Sequence, residues 1–426
     1  MKTVKIGLLG FGVVGQGIYQ TLKMNSATIV AKTGVALEIE KILVRDEEKA
    51  LKNGADKALL TRDISDIIEN PEIDIVVEVM GGVEPASAWL LAAMGNGKHV
   101  VTANKAAVAA NYEVLVSASR KHQVMLRYEA AVAGGIPILD ALQAPLNSND
   151  IESVSGIVNG TTNFILTQMA ESGLEYSEAL KLAQERGFAE ADPTADVAGI
   201  DAANKLIILT AIAFGQVLRL DEIPTTGISE LSAEDIRLSA ELGYKIKLLA
   251  SVEKKAGKLQ ASVQPTLVAD KSLFAAVGNE YNALFVTGNA VDDLFFYGKG
   301  AGAMPTASAV TGDIIEIANA LSKNAAYDSY VNAIPEGQLE FVGEGVNAYL
   351  VRLEVDDEAG SLSQVTQVLA KFDISVKSVL QKERGQMAEI IFLLHEVARE
   401  KLDAALSEMP ELGAARKVEK VMRVLE

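Results

Sequence analysis

The sequence predicts an α/β chain in three parts: a doubly wound parallel sheet, an α+β domain, and a small βαββαβ unit. Three observations carry this. Short apolar runs alternate with helical patterns over roughly the first 130 residues; the pattern changes beyond Gly134; and the last 80 or so residues alternate strand and helix in a ferredoxin-like order. At 426 residues the chain is also too long for one ordinary domain.

In order, Val4–Leu9 reads as a buried strand and Val13–Lys23 as a helix. Leu37–Val44, Ile75–Met80, His99–Thr102 and Val124–Tyr128 read as further strands, with helices at Ala86–Met94 and Lys105–Lys121. In the second part, Ile151–Val158, Leu259–Val268, Asn282–Val286 and Leu294–Tyr297 suit strands of another sheet. Helical spacing marks Asn163–Ser172, Ser177–Arg186 and Ala202–Phe214. A helix at Thr306–Leu321 follows the loop G-K-G-A-G and is expected to pack back on the first domain. Residues 322–347 are polar and pattern-poor, as a linker would be. The tail gives strands at Ala348–Val355, Ile374–Leu380, Met387–Leu394 and Val418–Leu425, with helices at Leu362–Phe372 and Ala398–Met409. The expected boundaries are therefore 1–134, 135–321, 322–347 and 348–426.

Composition removes several function classes. The formal net charge is −18, whereas a protein that tracks a nucleic-acid backbone needs a basic face. There are no cysteines, which excludes disulfides, thiolate nucleophiles and Cys-based zinc sites. The three histidines, His99, His122 and His395, are too scattered for a His-rich metal site. The apolar N-terminus is punctuated by glycine and lacks a cleavage signal. The longest apolar stretch, Leu206 to Leu218, falls short of the roughly 20 residues a bilayer demands. A cytoplasmic protein with no membrane and no nucleic-acid partner is expected.

Gly10-Phe11-Gly12-Val13-Val14-Gly15 follows a strand pattern and opens a helix. In that setting G-x-G-x-x-G is a dinucleotide-binding turn of the Rossmann type. The first glycine permits the turn, the second admits a pyrophosphate, and the third lets helix and strand approach. A nicotinamide-dependent dehydrogenase follows. At the end of the second strand, Arg45 precedes Asp46. The arginine suits the 2′-phosphate of NADP and tilts the reading that way; the aspartate keeps NAD open.

Between Ile200 and Leu218 the only charged residues are Asp201 and Lys205, four apart and on one face of an otherwise apolar helix. They are either a structural ion pair or part of a site. Glu190, Asp192 and Asp196 lie just upstream. They suit either the ammonium of an amino-acid substrate or a solvated acidic loop turned at Asp192-Pro193. Thr102-Ala103-Asn104-Lys105 stands at the carboxyl end of a strand, where α/β enzymes bind ligands. There Asn104 serves equally as a helix cap and Lys105 as a plain helix residue.

Over its whole length the sequence resembles the homoserine dehydrogenases, in the three-domain form with a C-terminal ACT domain. The motifs that carry this are G-F-G-V-V-G, T-A-N-K, E-A-A-V-A-G-G-I-P-I from Glu129, N-G-T-T-N-F from Asn159, G-K-G-A-G from Gly298, and above all G-F-A-E-A-D-P-T-A-D-V-A-G-I-D-A-A-N-K. The resemblance implies reversible reduction of L-aspartate 4-semialdehyde to L-homoserine with NADPH or NADH, in threonine, methionine and isoleucine biosynthesis. It implies Lys205 as proton donor and Lys105 as its partner near the nicotinamide. Glu190 and Asp201 become substrate contacts, and Gly187 and Gly302 touch cofactor or substrate through their backbone. Glu129, Val132, Gly134 and Ile136 match a sodium site built largely from carbonyls. The tail implies threonine as a feedback effector and a homodimer or larger homo-oligomer, although its turn, Asp357-Glu358-Ala359-Gly360, lacks the family's usual proline. Two alternatives stand beside this: another NAD(P)-dependent amino-acid dehydrogenase or semialdehyde reductase, and a non-catalytic nucleotide and amino-acid sensor. The isolated Asp201/Lys205 pair speaks against the sensor.

Overall fold

A computed structural model describes residues 2–323, 339–385 and 387–425. The chain forms two compact units: Met1–Gly160 with Ile200–Ile223 and Glu280–Leu339, and Thr161–Gly199 with Pro224–Asn279 and Glu340–Glu426.

The first unit contains a six-stranded sheet, parallel throughout. Its order is Leu60–Thr61, Val35–Leu43, Lys2–Leu9, Ile75–Glu78, His99–Thr102, Leu126–Arg127. The order reverses direction beside Lys2–Leu9, which opens a crevice at the carboxyl ends of the strands. Ile75–Glu78 and His99–Thr102 are buried along their whole length, as strands covered on both faces must be. One face packs Ile18 and Leu22 of the Val13–Thr33 helix together with Ala307, Val310 and Ile314 of the Ala303–Lys323 helix. These two helices touch at Gly17, where a Cβ would stand 2.5 Å from the carbonyl oxygen of Ala303. The expected single helix over Lys105–Lys121 is two, Lys105–Ala110 and Tyr112–His122, broken at Asn111, whose side chain donates to Ser87 Oγ at 3.0 Å. The same unit holds an antiparallel three-stranded set, Asp292–Lys299, Tyr281–Gly288 and Ile151–Ile157, and the largely buried helix Ile200–Phe214.

In the second unit, Tyr244–Lys255 and Lys258–Ala269 form an antiparallel hairpin. Its two turn residues, Ala256 and Gly257, both take positive φ (51° and 76°), as a tight turn matched to strand twist requires. The tail runs Val346–Asp356, Ser361–Lys371, Val376–Arg384, Met387–Ala398, Arg399–Glu411, Lys417–Leu425, the expected βαββαβ order. Its last strand continues the hairpin through Arg423–Leu425 paired in parallel with Thr266–Val268. Of the expected linker 322–347, residues 324–338 lie outside the described residues. Glu340–Phe341 pair with Lys258–Leu259, so that end is sheet rather than tether.

The helix Ala233–Glu241 is joined to the tail by a buried ionic knot. Asp235 closes a capping box with Ser232 and also receives Arg352 Nη1 at 2.7 Å. Arg352 Nε lies 3.0 Å from Glu389 Oε1, and Lys420 Nζ lies 3.7 Å from Asp235.

His99 illustrates the cost of filling a parallel core with a titratable group. Burial pushes its imidazole down to about 4, against a weaker opposing pull from Asp74. The neutral ring accepts the Met125 N–H at Nδ1, 2.9 Å. The unfolded imidazole titrates near 6.5, so as pH falls the unfolded chain takes up this proton first. Stability is therefore full above about 6.5 and lost down to about 4, by roughly 3 kcal/mol at most. His99→Gln should flatten the pH slope of urea-unfolding free energy across that window. An unchanged slope would remove His99 as its source.

Candidate active site

The glycine turn is built as its spacing predicts. Gly10 takes φ of +104°, which a residue with a side chain rarely adopts. A Cβ at Gly15 would stand 2.3 Å from the Gly10 carbonyl oxygen, so the third glycine sets the helix–strand approach. A Cβ at Gly12 would meet nothing within 4 Å; its backbone faces open space. The Val13–Thr33 helix that begins there has no acidic residue in its first turn and no side-chain cap, so its end is free to attract an anion.

Gly10, Phe11, Gly12 and Arg45 line a cavity of about 880 Å³, together with Lys49, Arg62 and Trp89. Val13, Val14 and Gly15 sit in the helix beside it and do not line it. Asp46 also reaches the cavity, but its carboxylate accepts the Lys49 N–H at 2.9 Å and caps the helix Glu47–Lys52. Arg62 Nη2 donates to the Arg45 carbonyl oxygen at 2.9 Å, which brings the Arg62 guanidinium to the Arg45 backbone on the same cavity wall. Sequence reasoning missed Lys49 and Arg62, since neither stands in the motif.

A second constellation lies at the carboxyl end of His99–Thr102. Thr102 Oγ1 donates to the buried Glu78 at 2.7 Å, and Glu78 also receives the Met80 N–H at 2.7 Å. Asn104 does cap a helix, Lys105–Ala110, accepting the Ala107 N–H at 3.1 Å. Its amide donates to the Gly82 carbonyl oxygen at 2.6 Å. The cap aims Lys105 outward, so that Nζ meets Asp201 Oδ1 at 2.8 Å. Asp201 Oδ2 meets Lys205 Nζ at 2.6 Å, one helical turn along. Asn159 Nδ2 donates to the same oxygen at 2.8 Å, and Lys205 also donates to the Val158 carbonyl oxygen at 2.6 Å.

Burial alone would raise the Asp201 carboxyl, but the ammonium groups of Lys205 and Lys105 override it and hold the group well below the usual carboxylate range. The carboxylate stays ionised at any working pH. Lys105 keeps its side chain 44% exposed while that of Lys205 is 10% exposed, so one ammonium faces solvent and the other is largely shielded. Asn159 was part of a quoted motif but had no role assigned; the carbonyl of Val158 leaves no trace in a sequence.

The other expected residues fall elsewhere. Gly302, φ +118°, opens the Ala303–Lys323 helix. Gly187, φ +76°, and the exposed Glu190 belong to the second unit, where the Glu190 carbonyl oxygen accepts Gln184 Nε2 at 3.1 Å. Asp192 closes a local turn on Thr194. Glu129, Val132, Gly134 and Ile136 lie in one tight loop, where a Cβ at Gly134 would meet the Gly300 carbonyl oxygen at 2.4 Å. The Glu129 carboxylate accepts the Leu139 and Asp140 N–H groups at 3.0 and 2.7 Å. Burial, helped by Asp140, pushes it up to about 8.

Comparison with known proteins covers nearly the whole chain. Three family models match: homoserine dehydrogenase over residues 137–315, homoserine dehydrogenase NAD-binding domain over 10–129, and ACT domain over 349–412. The homoserine dehydrogenase of Bacillus subtilis is 38% identical over 427 residues, spanning 100% of this chain and 99% of that one. That of Corynebacterium glutamicum is 41% identical over 429 residues, spanning 99% and 94%. Among solved structures, a homoserine dehydrogenase from Thiobacillus denitrificans superposes with a TM-score of 0.96 at 39% identity, covering 100% of this chain and 99% of that one. A hyperthermophilic archaeal homoserine dehydrogenase in complex with NADPH gives 0.62 at 28% identity, covering 74% and 97%.

Proposed function

This chain belongs to the homoserine dehydrogenase family, and on that premise we propose that it reduces L-aspartate 4-semialdehyde to L-homoserine with Lys205 as proton donor. The observation that carries the role is the Asp201 carboxylate gripping two lysine heads at once, at 2.8 and 2.6 Å. A reduced nicotinamide, when bound, would supply the hydride to the aldehyde carbon. Lys205 gives the proton to the nascent alkoxide, held in position by Asp201 and by the Val158 carbonyl. Asp201, ionised throughout, fixes both ammonium groups without competing for the proton. Two cations on one carboxylate leave the cluster positive, which favours the oxygen as it gains charge. Lys105, on the exposed side, orients the substrate. The backbone of Gly302, in the same unit, is a further cofactor contact on this reading.

The open backbone at Gly12 and the uncapped helix after it suit a pyrophosphate. Arg45 and Arg62 suit a 2′-phosphate, so NADP is the favoured nucleotide. Arg45→Ala should raise KM for NADP at least about tenfold, the scale of a charge-assisted pair, and leave KM for NAD within about twofold. Equal changes for both nucleotides would remove Arg45 from phosphate recognition.

With the Glu129 carboxylate engaged by amides, carbonyl oxygens at Glu129, Val132, Gly134 and Ile136 are the donors that would hold a sodium ion, bracing that loop. We assign residues 1–134 to nucleotide binding, 135–321 to catalysis and dimerisation, and 348–426 to threonine sensing, in a cytoplasmic homodimer or larger homo-oligomer. No helix among the described residues is long and apolar enough to cross a membrane. The activity is tested by following nicotinamide absorbance with homoserine and each nucleotide. Absence of any homoserine-dependent signal would overturn the reading.

A further inference from the structure

The second unit holds a cavity of about 720 Å³ that none of this chemistry uses. It lies between the Gly160–Ser172 helix, the Ala233–Glu241 helix and the start of strand Tyr244–Lys255. Leu166, Met169 and Ile236 give it an apolar wall, and its size is that of a small-molecule site.

Lys247, 4% exposed, lies on that wall. Its ammonium donates to the Val277 carbonyl oxygen at 2.5 Å and to Asn163 Oδ1 at 3.0 Å. Both acceptors are neutral, and Lys247 makes no ion pair among the described residues. A cation withdrawn from water without a counter-charge is costly, and an anion entering the cavity would offset that cost. The strain registers in the amine itself: burial pushes it down to about 8, with Lys245 adding and Glu171 opposing. Glu171, Glu234 and Asp270 stand on the same walls and would repel a dianion such as phosphate. One buried positive charge beside an apolar surface fits a single negative charge on an apolar body.

We propose that this cavity binds a small organic monocarboxylate with a compact apolar body, its carboxylate on Lys247 and its body against Leu166, Met169 and Ile236. Calorimetric titration of the full chain with isocaproate and with isocaproamide, which keeps the shape and loses the charge, tests it. Isocaproate should bind saturably and the amide at least about tenfold more weakly. Lys247→Met should weaken isocaproate at least about tenfold and leave the amide unchanged. Ala240→Trp, on the exposed lip of the cavity, should weaken both by filling the space while leaving turnover of homoserine intact. Equal affinity for acid and amide, or no saturable binding of acid up to about 20 mM, overturns the proposal. Should Lys247→Met fail to fold, unchanged isocaproate binding by Ala240→Trp overturns it equally.

Discussion

Lys205→Ala is expected to lower turnover about 10²–10⁴-fold while leaving cofactor affinity and folding close to those of the parent chain. The magnitude is that of a positioned acid removed from the transition state. Retained nucleotide affinity follows from position, since the glycine turn and Arg45 follow strands Lys2–Leu9 and Val35–Leu43, away from the helix that carries Lys205. Because Lys205 contributes the proton and not substrate affinity, kcat should carry the loss and KM should move little. The single-turnover rate with reduced nucleotide and semialdehyde checks this, with calorimetry for the nucleotide. A fall under about threefold would take Lys205 out of the mechanism. Removing Lys205 also leaves Asp201 with Lys105 and Asn159, so its charge is still partnered and the helix should hold.

Arg352→Met should cost about 3–5 kcal/mol of stability, the scale for a buried ion pair that loses one member. Arg352 sits between Asp235 and Glu389, which are 2% and 4% exposed as side chains, and its loss takes a guanidinium from both buried carboxylates. Asp235 is also the cap of the Ala233–Glu241 helix, so the damage reaches a second element. Replacing all three by apolar residues of similar volume should recover most of the loss, because stranded charge, not missing attraction, is what destabilises. Urea unfolding of the single and triple variants checks both claims. A single-variant loss below about 1 kcal/mol would mean that water reaches the knot.

Parts of this were legible in the chain because they rest on local geometry. The glycine turn needs positive φ at its first position and a close neighbour at its third, which only glycine serves, and at the second an open backbone that a pyrophosphate can approach. Asp201 and Lys205 were legible because four residues is one helical turn. Lys105 was legible as a candidate at the end of a strand, but its meeting with Asp201 was not, since that depends on how two helices pack. That Asp46 both reaches the cavity and caps a helix through Oδ1 is likewise invisible in the sequence. The strand Tyr244–Lys255 escaped notice because its lysines blur the apolar alternation and its turn is Ala256-Gly257 rather than Asn-Gly. The Ala233–Glu241 helix escaped because five of its nine residues are polar or charged and its anchor, Arg352, lies more than a hundred residues away. Carbonyl sites such as Val158 are invisible for a simpler reason: every residue has one.

Trp89 is the sole tryptophan of the chain, and it stands on the wall of the cavity beside the glycine turn, which we propose holds the nucleotide. Its emission band overlaps the near-ultraviolet absorption of a reduced nicotinamide. The protein therefore carries one indole, on the wall of that cavity, and excitation at the red edge of its absorption selects it over the tyrosines. Nucleotide occupancy can be read as quenching of that single emitter in any variant, including those that no longer turn over. Loading and chemistry then become separately observable in the unlabelled enzyme.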